Sequence, residues 1–213
     1  LAWQSWLKEP WSLEKERRVD HDLSLRGLKK LPDKEIKETH KDIINQLKLD
    51  INKPIVLAFT GVAWDATSNF PSEAYKNMYE WLWDTINWFK ENPDIQLIIR
   101  VHPGENIAIN INPENRTRFE IETNSKKIKV PANVHIVSFD NPVSAYDLFH
   151  IATLGMVYSS TTGLEMACLG LPVITIGQAH YSNKGFTYDP KSRKEYFDIL
   201  RNSISNRSEN ACS

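Results

Sequence analysis

Cysteine is scarce in this sequence, with only Cys168 and Cys212 among 213 residues. Cys168 lies in an apolar helical pattern, where we expect a small buried side chain, and Cys212 lies in a polar tail. The two make a poor disulfide pair and supply too few thiolates for a cysteine metal site. This scarcity favours a protein of the reducing cytoplasm.

Excess charge and long apolar segments are also lacking. The formal net charge is -1, so no overall field would attract nucleic acid or an anionic membrane. No apolar run approaches the roughly 20 residues of a membrane-spanning helix, and the charged first residues predict no signal peptide. We expect a cytoplasmic protein that has no transmembrane segment and can associate peripherally with the inner membrane face. Because Leu1 is not a start methionine, we also expect a fragment.

Sequence motifs of three common enzyme classes are missing. The sequence contains no G-x-x-x-x-G-K-[ST], no G-x-G-x-x-G and no G-x-S-x-G. These absences disfavour a P-loop ATPase, a dinucleotide-dependent dehydrogenase and a serine hydrolase. The histidines are scattered without carboxylates at ligand spacing, so we expect no metal and no other cofactor.

Short apolar runs alternate with helical patterns from residue 53 onward. Five runs have the composition of buried parallel strands and lie at residues 54–60, 95–101, 134–139, 155–158 and 172–176. The spacing of apolar residues predicts helices at residues 72–91, 145–152, 163–169 and 194–203. This alternation predicts an α/β fold, a Rossmann-like parallel sheet with helices on both faces.

The first 50 residues have a different character. They are highly charged with little strand propensity, and residues 33–49 carry apolar side chains at helical spacing. We therefore divide the chain into a helical N-terminal extension or linker (1–52), a Rossmann-like domain (53–205) and a polar tail (206–213).

In an open parallel sheet, ligands bind beyond the carboxyl ends of the strands. Small, hydroxylic, acidic or basic residues follow four of the five predicted strands. They are Thr60, Gly61 and Asp65; Arg100, His102 and Glu105; Ser159, Ser160, Thr161 and Thr162; and Gly177, His180, Tyr181 and Lys184. We expect these groups to converge on a phosphate and sugar site, with helix N-termini supplying backbone donors.

The run from Tyr158 to Glu165 places four consecutive hydroxyl residues at a predicted strand-to-helix corner. Hydroxyls at such a corner can cap the helix or donate to a phosphate, and capping alone needs only one or two of them. Glu165 either complements the helix dipole or accepts hydrogen bonds from ribose hydroxyls. The residues themselves favour neither role.

Two other loops carry candidate ligand-binding side chains. As a neutral imidazole, His102 can donate to phosphate or base oxygens, or it can be an ordinary surface histidine. We expect Arg100 to pair with a carboxylate. In the glycine-bounded loop 177–185, Lys184 can neutralise a diphosphate or simply be exposed.

The segments RVHPGE, YSSTTGLEMACLGLPVITIG and QAHYSNKGFTYDP, in this order, resemble the capsule polysaccharide biosynthesis family. Its members are glycosyltransferase-B-type enzymes related to Kdo transferases and, more distantly, to bacterial sialyltransferases. The resemblance covers about residues 53–200 and implies the C-terminal domain, which binds the nucleotide-sugar donor. His102 and Pro103 resemble the family's HP motif, which contacts the nucleotide. The run from Ser159 to Thr162 is similar to its SS motif, which holds the donor phosphate.

The resemblance implies metal-independent sugar transfer from a nucleotide sugar to a surface or capsular glycan, with CMP-linked sugars as one candidate donor class. An acceptor hydroxyl attacks the anomeric carbon, and a carboxylate base assists. Relatives carry this base in an N-terminal acceptor domain that residues 1–50 cannot form, so we expect that domain to be missing. Asp65 is the strand-end carboxylate we nominate within the chain. A nucleotide-sugar epimerase and a non-catalytic binding module on the same fold remain alternatives.

Overall fold

The computed structural model describes residues 2–26, 28, 33–62, 70–105 and 130–210. Three helices come first, and they are α1 (Ala2–Lys8), α2 (Leu13–Leu25) and α3 (Asp33–Leu47). The described elements that follow are β1 (Ile55–Phe59), α4 (Met78–Glu91), β2 (Gln96–Arg100), β3 (Val134–Val137), α5 (Ala145–Phe149), β4 (Leu154–Val157), α6 (Thr162–Cys168), β5 (Val173–Thr175) and α7 (Arg193–Asn210).

The strands form one parallel sheet in the order β3-β2-β1-β4-β5. Leu57 in the middle of β1 is in register with Ile98 of β2 on one side and with Gly155 of β4 on the other. The strand order reverses between β1 and β4, and a crevice opens at the carboxyl ends of two such strands. The predicted α/β Rossmann-like fold is confirmed.

Helices cover both faces of the sheet because successive strand side chains point to opposite faces. On one face, Val56 and Ala58 share a core with residues of α4 and α7. On the other face, Leu57 and Phe59 share a core with residues of α3, α5 and α6. Trp81 of α4 is fully buried in the first of these cores.

Helix α4 begins at Met78, later than the predicted start at Ser72. The side chain of Ser72 instead accepts a hydrogen bond from the backbone N–H of Tyr75 and forms a separate turn. Asn77 then caps the helix, because its Oδ1 accepts from the N–H of Glu80 at 2.9 Å. The predicted start is wrong because these polar side chains compete with the helical backbone for its donors.

The two ends of the chain are tied into the same structure. Leu28, Ile43 and Leu49 of the N-terminal segment are buried in the core that contains α5 and α6. Helix α7 continues to Asn210, so residues 206–210 of the predicted polar tail are helical. Within the described ranges, no helix combines the length and apolarity needed to cross a membrane.

Candidate functional site

The ends of β1 and β2 are joined through Thr60 and His102. Thr60 is buried, and its Oγ1 accepts a hydrogen bond from the backbone N–H of His102 at 3.0 Å. The imidazole Nδ1 of His102 accepts from the backbone N–H of Gly104 at 2.9 Å. A neutral ring that accepts at Nδ1 carries its proton on Nε2. The exposed His102 ring is therefore set up as a hydrogen-bond donor at Nε2.

Gly104 is required for this arrangement of the His102 ring. A Cβ atom at Gly104 would lie 2.9 Å from Nδ1 of His102 and 3.0 Å from Cγ1 of Val62. Carbon atoms do not approach other heavy atoms so closely, so a larger residue would displace the ring. The glycine of the RVHPGE segment therefore allows the backbone to hold the histidine.

Arg100 has a structural role that the sequence did not predict. Its guanidinium donates to the backbone carbonyl oxygens of Ser138 and Asn141, which belong to the loop after β3. Burial lowers the pKa of Arg100, and the nearby carboxylate of Asp140 opposes this shift. The expected pairing with a carboxylate is an electrostatic interaction with Asp140, and the hydrogen bonds of the guanidinium go to two loop carbonyls.

The four hydroxyl residues after β4 divide into different roles. Ser160 makes the capping contact, because its Oγ accepts from the N–H of Thr162 at 3.3 Å and donates to the Thr162 hydroxyl at 3.0 Å. Thr161 occupies the N-cap position but makes no side-chain capping bond, and it is exposed. Capping therefore accounts for Ser160 and Thr162, and it leaves the side chain of Thr161 available to a ligand.

The first-turn amides of α6 already have acceptors within the chain, contrary to the expectation that they would serve a ligand. The N–H of Thr162 donates to the side chain of Ser160, and the N–H of Gly163 donates to the carbonyl of Ser160. The N–H groups of Leu164 and Glu165 both donate to the Thr161 carbonyl. A phosphate at this corner would therefore rely mainly on side-chain groups.

Tyr181 holds the backbone of this corner in place through its hydroxyl. It is 3% exposed, and its hydroxyl donates to the carbonyl oxygen of Ser160. Burial raises the pKa of Tyr181 far above the usual value of a phenol, so the hydroxyl remains a donor. Its ring lies against Gly163, where a Cβ atom would approach the Tyr181 hydroxyl to 2.2 Å. The position of the Ser160 loop thus depends on both residues.

A cavity of about 500 Å³ opens beside this corner. Its size is typical of a small-molecule site. One wall comes from α6 and the loop after β5, and the other comes from α2. The lining residues are Thr161, Leu164, Glu165, Cys168 and His180 on the first wall, and Val19, Asp22, Leu23, Leu25 and Arg26 on the second.

Three predicted site residues therefore come together around one cavity, namely Thr161, Glu165 and His180. Glu165 is only 7% exposed, and its Oε1 accepts from Nη1 of Arg26 at 2.8 Å. This ion pair puts a fixed carboxylate at the wall of the cavity. The sequence did not indicate Arg26 or Asp22, because nothing in the charged N-terminal pattern points to a contact with a helix more than 100 residues later.

The other predicted residues in the described part of the chain are not among those that line this cavity. His102 and Pro103 are exposed at the end of β2, which β1 separates from β4 in the sheet. Gly61 follows β1, and its N–H contacts the Met78 sulfur at 3.0 Å. The remaining members are half-buried Ser159 and Lys184, fully buried Glu105, and Gly177, whose N–H donates to the Tyr158 carbonyl. Asp65 lies outside the described residues.

Cys168 is exposed at the cavity, so the prediction of a buried side chain is wrong. It lies near the end of the seven-residue helix α6, on the face turned toward α2. In the described part of the chain, no group of three or more histidine, cysteine, aspartate or glutamate residues is placed to hold a metal ion.

A different cavity, of about 400 Å³, lies at the opposite, amino-terminal edge of the sheet and includes Lys48, Lys90 and His135 in its lining. Two of its polar side chains, Gln96 and Asn133, are engaged in the fold. The amide of Gln96 exchanges two hydrogen bonds with the backbone of Asp50, and the Asn133 side chain donates to three backbone carbonyls. This amino-edge cavity has the character of a structural junction.

Replacing Arg100 with methionine tests its structural role. We expect the free energy of unfolding to fall by about 2–3 kcal/mol, because two charge-assisted hydrogen bonds are lost and two carbonyls lose their donor. Affinity for the nucleotide that the sequence leads us to expect as a ligand should stay within about twofold of the wild type, since the side chain donates to the β3 loop. Urea denaturation and calorimetric titration measure the two quantities, with exposed Arg201→Met as the control. A large loss of affinity at unchanged stability would contradict this role.

The sequence profile described as capsule polysaccharide biosynthesis protein matches residues 15–202. No curated protein matches the chain significantly. Among solved structures, UDP-GlcNAc 2-epimerase from Neisseria meningitidis is 11% identical, with a TM-score of 0.52 over 92% of this chain and 45% of that chain. The wall teichoic acid polymerase TagF is 14% identical, with a TM-score of 0.50 over 80% of this chain and 40% of that one. A beta Kdo 2,7 transferase, KpsC from Thermosulfurimonas dismutans, is 21% identical. Its TM-score is 0.46 over 83% of this chain and 53% of that chain.

The epimerase and TagF structures share the Rossmann-like fold with this chain. The chain spans about half or less of the length of the three solved structures. The profile match covers most of the chain, and it begins within α2. It therefore includes both walls of the cavity, with Arg26 and Glu165. The chain belongs to the family of capsule polysaccharide biosynthesis proteins.

Proposed function

We propose that this chain is the donor-binding part of a glycosyltransferase that transfers a sugar from a nucleotide sugar to a surface or capsular glycan. The cavity between α2 and α6 carries this proposal, because Thr161, Glu165 and His180 meet there at the carboxyl edge of a Rossmann-like sheet. Membership of the capsule polysaccharide biosynthesis family supports the same class of reaction.

Glu165 is the proposed ribose-binding group. An ionised carboxylate only accepts hydrogen bonds, and it has about four lone-pair positions on its two oxygens. Arg26 occupies one of them, so lone pairs remain for hydroxyl donors from the cavity. A vicinal ribose diol offers two such donors, which makes it a suitable ligand for this carboxylate.

The proposed phosphate-binding groups surround the hydroxyl corner. Ser159 is half-buried and Thr161 is exposed there, and His180 lies on the same cavity wall as Thr161. Ser160 orders this corner through its two hydrogen bonds to Thr162. Their donors would stabilise the charge that develops on the leaving phosphate, as hydroxyl and imidazole groups do in other electrostatic sites. His102, with its proton on Nε2, would contact the nucleotide from the β2 side of the crevice.

In the proposed reaction, the oxygen of an acceptor hydroxyl bonds to the anomeric carbon as the bond from that carbon to the phosphate oxygen breaks. The nucleotide phosphate leaves with the electron pair, and a carboxylate base takes the proton of the acceptor. We propose that a second, acceptor-binding domain contributes this base, with Asp65 as the candidate within the chain. Metal independence is part of the same proposal.

A thermal-shift titration with CMP, UDP, GDP and ADP tests the proposed function. We expect CMP to stabilise the protein, by about 2.7 kcal/mol at 100 times its dissociation constant, which corresponds to a melting-temperature rise of roughly 5–10 °C for a domain of this size. Thr161→Ala and His102→Ala should each weaken binding about tenfold or more. Ser205→Ala, in an exposed serine of α7 on the other sheet face, is the matched control.

The outcomes separate the alternatives for this fold. A UDP preference would keep the nucleotide-binding site and overturn the CMP assignment, and turnover of a UDP-sugar to its epimer would favour the epimerase alternative. The absence of stabilisation by all four nucleotides in a folded protein would contradict a donor-binding role and favour a non-catalytic module.

A further inference from the structure

Arg26 joins the N-terminal helices to the cavity. Its Nη1 lies 2.8 Å from Oε1 of Glu165, which is 139 residues later in the chain. The Arg26 side chain is 55% exposed, while that of Glu165 is 9% exposed. The carboxylate is therefore nearly covered, and the arginine is its hydrogen-bonding ion-pair partner from the solvent side.

The backbone around Arg26 is held in place on both sides. Its N–H donates to the carbonyl of Leu23, which packs against the core beneath α6. Leu28, 5% exposed in the same core, donates its own N–H to the Leu23 carbonyl at 2.9 Å. Buried Leu28 and half-buried Leu23 thus anchor the end of α2, which brings the guanidinium within reach of Glu165.

A fixed arginine restricts the carboxylate that it contacts. A glutamate side chain alone samples several rotamers, and binding to one of them costs conformational entropy. The ion pair selects one orientation of Glu165 before any ligand arrives. Since both residues line the cavity, the selected orientation faces the space that a ligand would occupy.

We propose that Arg26 is a positioning residue for nucleotide binding, and this inference rests on the proposed function. Arg26 holds the Glu165 carboxylate so that its remaining lone pairs accept hydrogen bonds from the two ribose hydroxyls. Helix α2 is accordingly part of the proposed donor-binding site. The specificity that follows is for a ribonucleotide with an intact vicinal diol.

The test compares CMP with 2′,3′-dideoxy-CMP on the wild type and on Arg26→Ala by calorimetric titration. We expect the wild type to prefer CMP by roughly 10- to 100-fold, the size of one or two hydrogen bonds to a charged group. Arg26→Ala should remove most of this preference by weakening CMP binding, with dideoxy-CMP affinity unchanged within about twofold. Arg26→Lys should retain part of the preference, since lysine keeps the charge but not the rigid geometry.

Two controls separate positioning from other effects. Glu165→Gln should remove the same preference, and adding Arg26→Ala to it should cause little further loss, because the two residues act as one unit. Arg201→Ala is the matched control, since Arg201 is 58% exposed and pairs with Asp198 on α7, on the other face of the sheet.

The results that overturn this inference differ from those that overturn the proposed function. Equal weakening of CMP and dideoxy-CMP by Arg26→Ala would mean that Arg26 acts on the phosphate or on the fold, and an unchanged preference would mean that it has no role. If the folded wild type binds none of CMP, UDP, GDP and ADP, the proposed function fails, and this inference fails with it. If UDP is the nucleotide bound, the same comparison is made with UDP and its dideoxy analogue.

Discussion

Replacement of Gly163 by alanine is expected to lower the free energy of unfolding by about 1–3 kcal/mol, the usual effect of overpacking a close contact. A Cβ atom at Gly163 would lie 2.2 Å from the hydroxyl oxygen of Tyr181 and 2.8 Å from Cγ2 of Val157. Helix propensity alone predicts the opposite sign, a gain of about 1 kcal/mol. The steric contact should dominate, because both neighbours are buried.

The same substitution should also weaken nucleotide binding. A displaced Tyr181 can no longer hold the Ser160 carbonyl, so the hydroxyl corner loses its support. Urea denaturation gives the stability change, and calorimetric titration gives the affinity. In a Tyr181→Phe background the closest contact disappears, and we expect a smaller effect of Gly163→Ala on stability. Asn202→Ala, at an exposed position of α7, is the control for helix propensity without a steric clash. A Gly163→Ala protein as stable as the wild type would contradict the corner geometry.

Replacement of Glu165 by glutamine is expected to lower nucleotide affinity by roughly 10- to 100-fold, the loss of one or two charge-assisted hydrogen bonds. The size of the side chain is unchanged, but the carboxylate and its ion pair with Arg26 are lost. Stability should change by less than about 1 kcal/mol, because Arg26 is largely exposed and water can solvate it.

The comparison of affinity with stability is the decisive readout for Glu165. Glu91→Gln, at an exposed position near the end of α4, is the matched control and should leave both quantities unchanged. If Glu165→Gln lowers stability by several kcal/mol and leaves affinity intact, then the carboxylate serves the helix and the fold. In that case its role would be the dipole alternative that the sequence leaves open.

The sheet could be predicted from the sequence because four of its five strands are buried at every position. Runs such as the one containing Val56 and Leu57 are apolar at every position, and this pattern has few other interpretations in an α/β chain. Helix boundaries were harder, as Asn77 shows. Both Ser72 and Asn77 are good capping residues, and only tertiary packing decides which one begins the helix.

The candidate site was predictable where it lies on strand ends and not where it depends on distant contacts. Thr161, Glu165 and His180 follow β4 and β5, so fold topology alone places them near each other. Arg26 comes from a helix whose charged sequence resembles any solvated surface, so its contact with Glu165 follows only from tertiary packing.

The roles of individual polar side chains were also beyond the sequence pattern. Arg100 follows an apolar strand toward the candidate site, yet it binds the carbonyls of Ser138 and Asn141 beside β3. Cys168 belongs to an apolar helical pattern, yet it faces the cavity. In both cases the direction of the side chain, rather than its place in the sequence, determines its role.

Mapping nucleotide binding by amide chemical shifts tests the central claim most directly, namely that the ligand site lies at the carboxyl edge of the sheet beside α2. In a 15N-labelled sample titrated with CMP, we predict the largest shifts at Arg26, at Gly104 and between Ser159 and Glu165. Shifts concentrated at Lys48, Lys90 and His135, around the amino-edge cavity, would contradict the account.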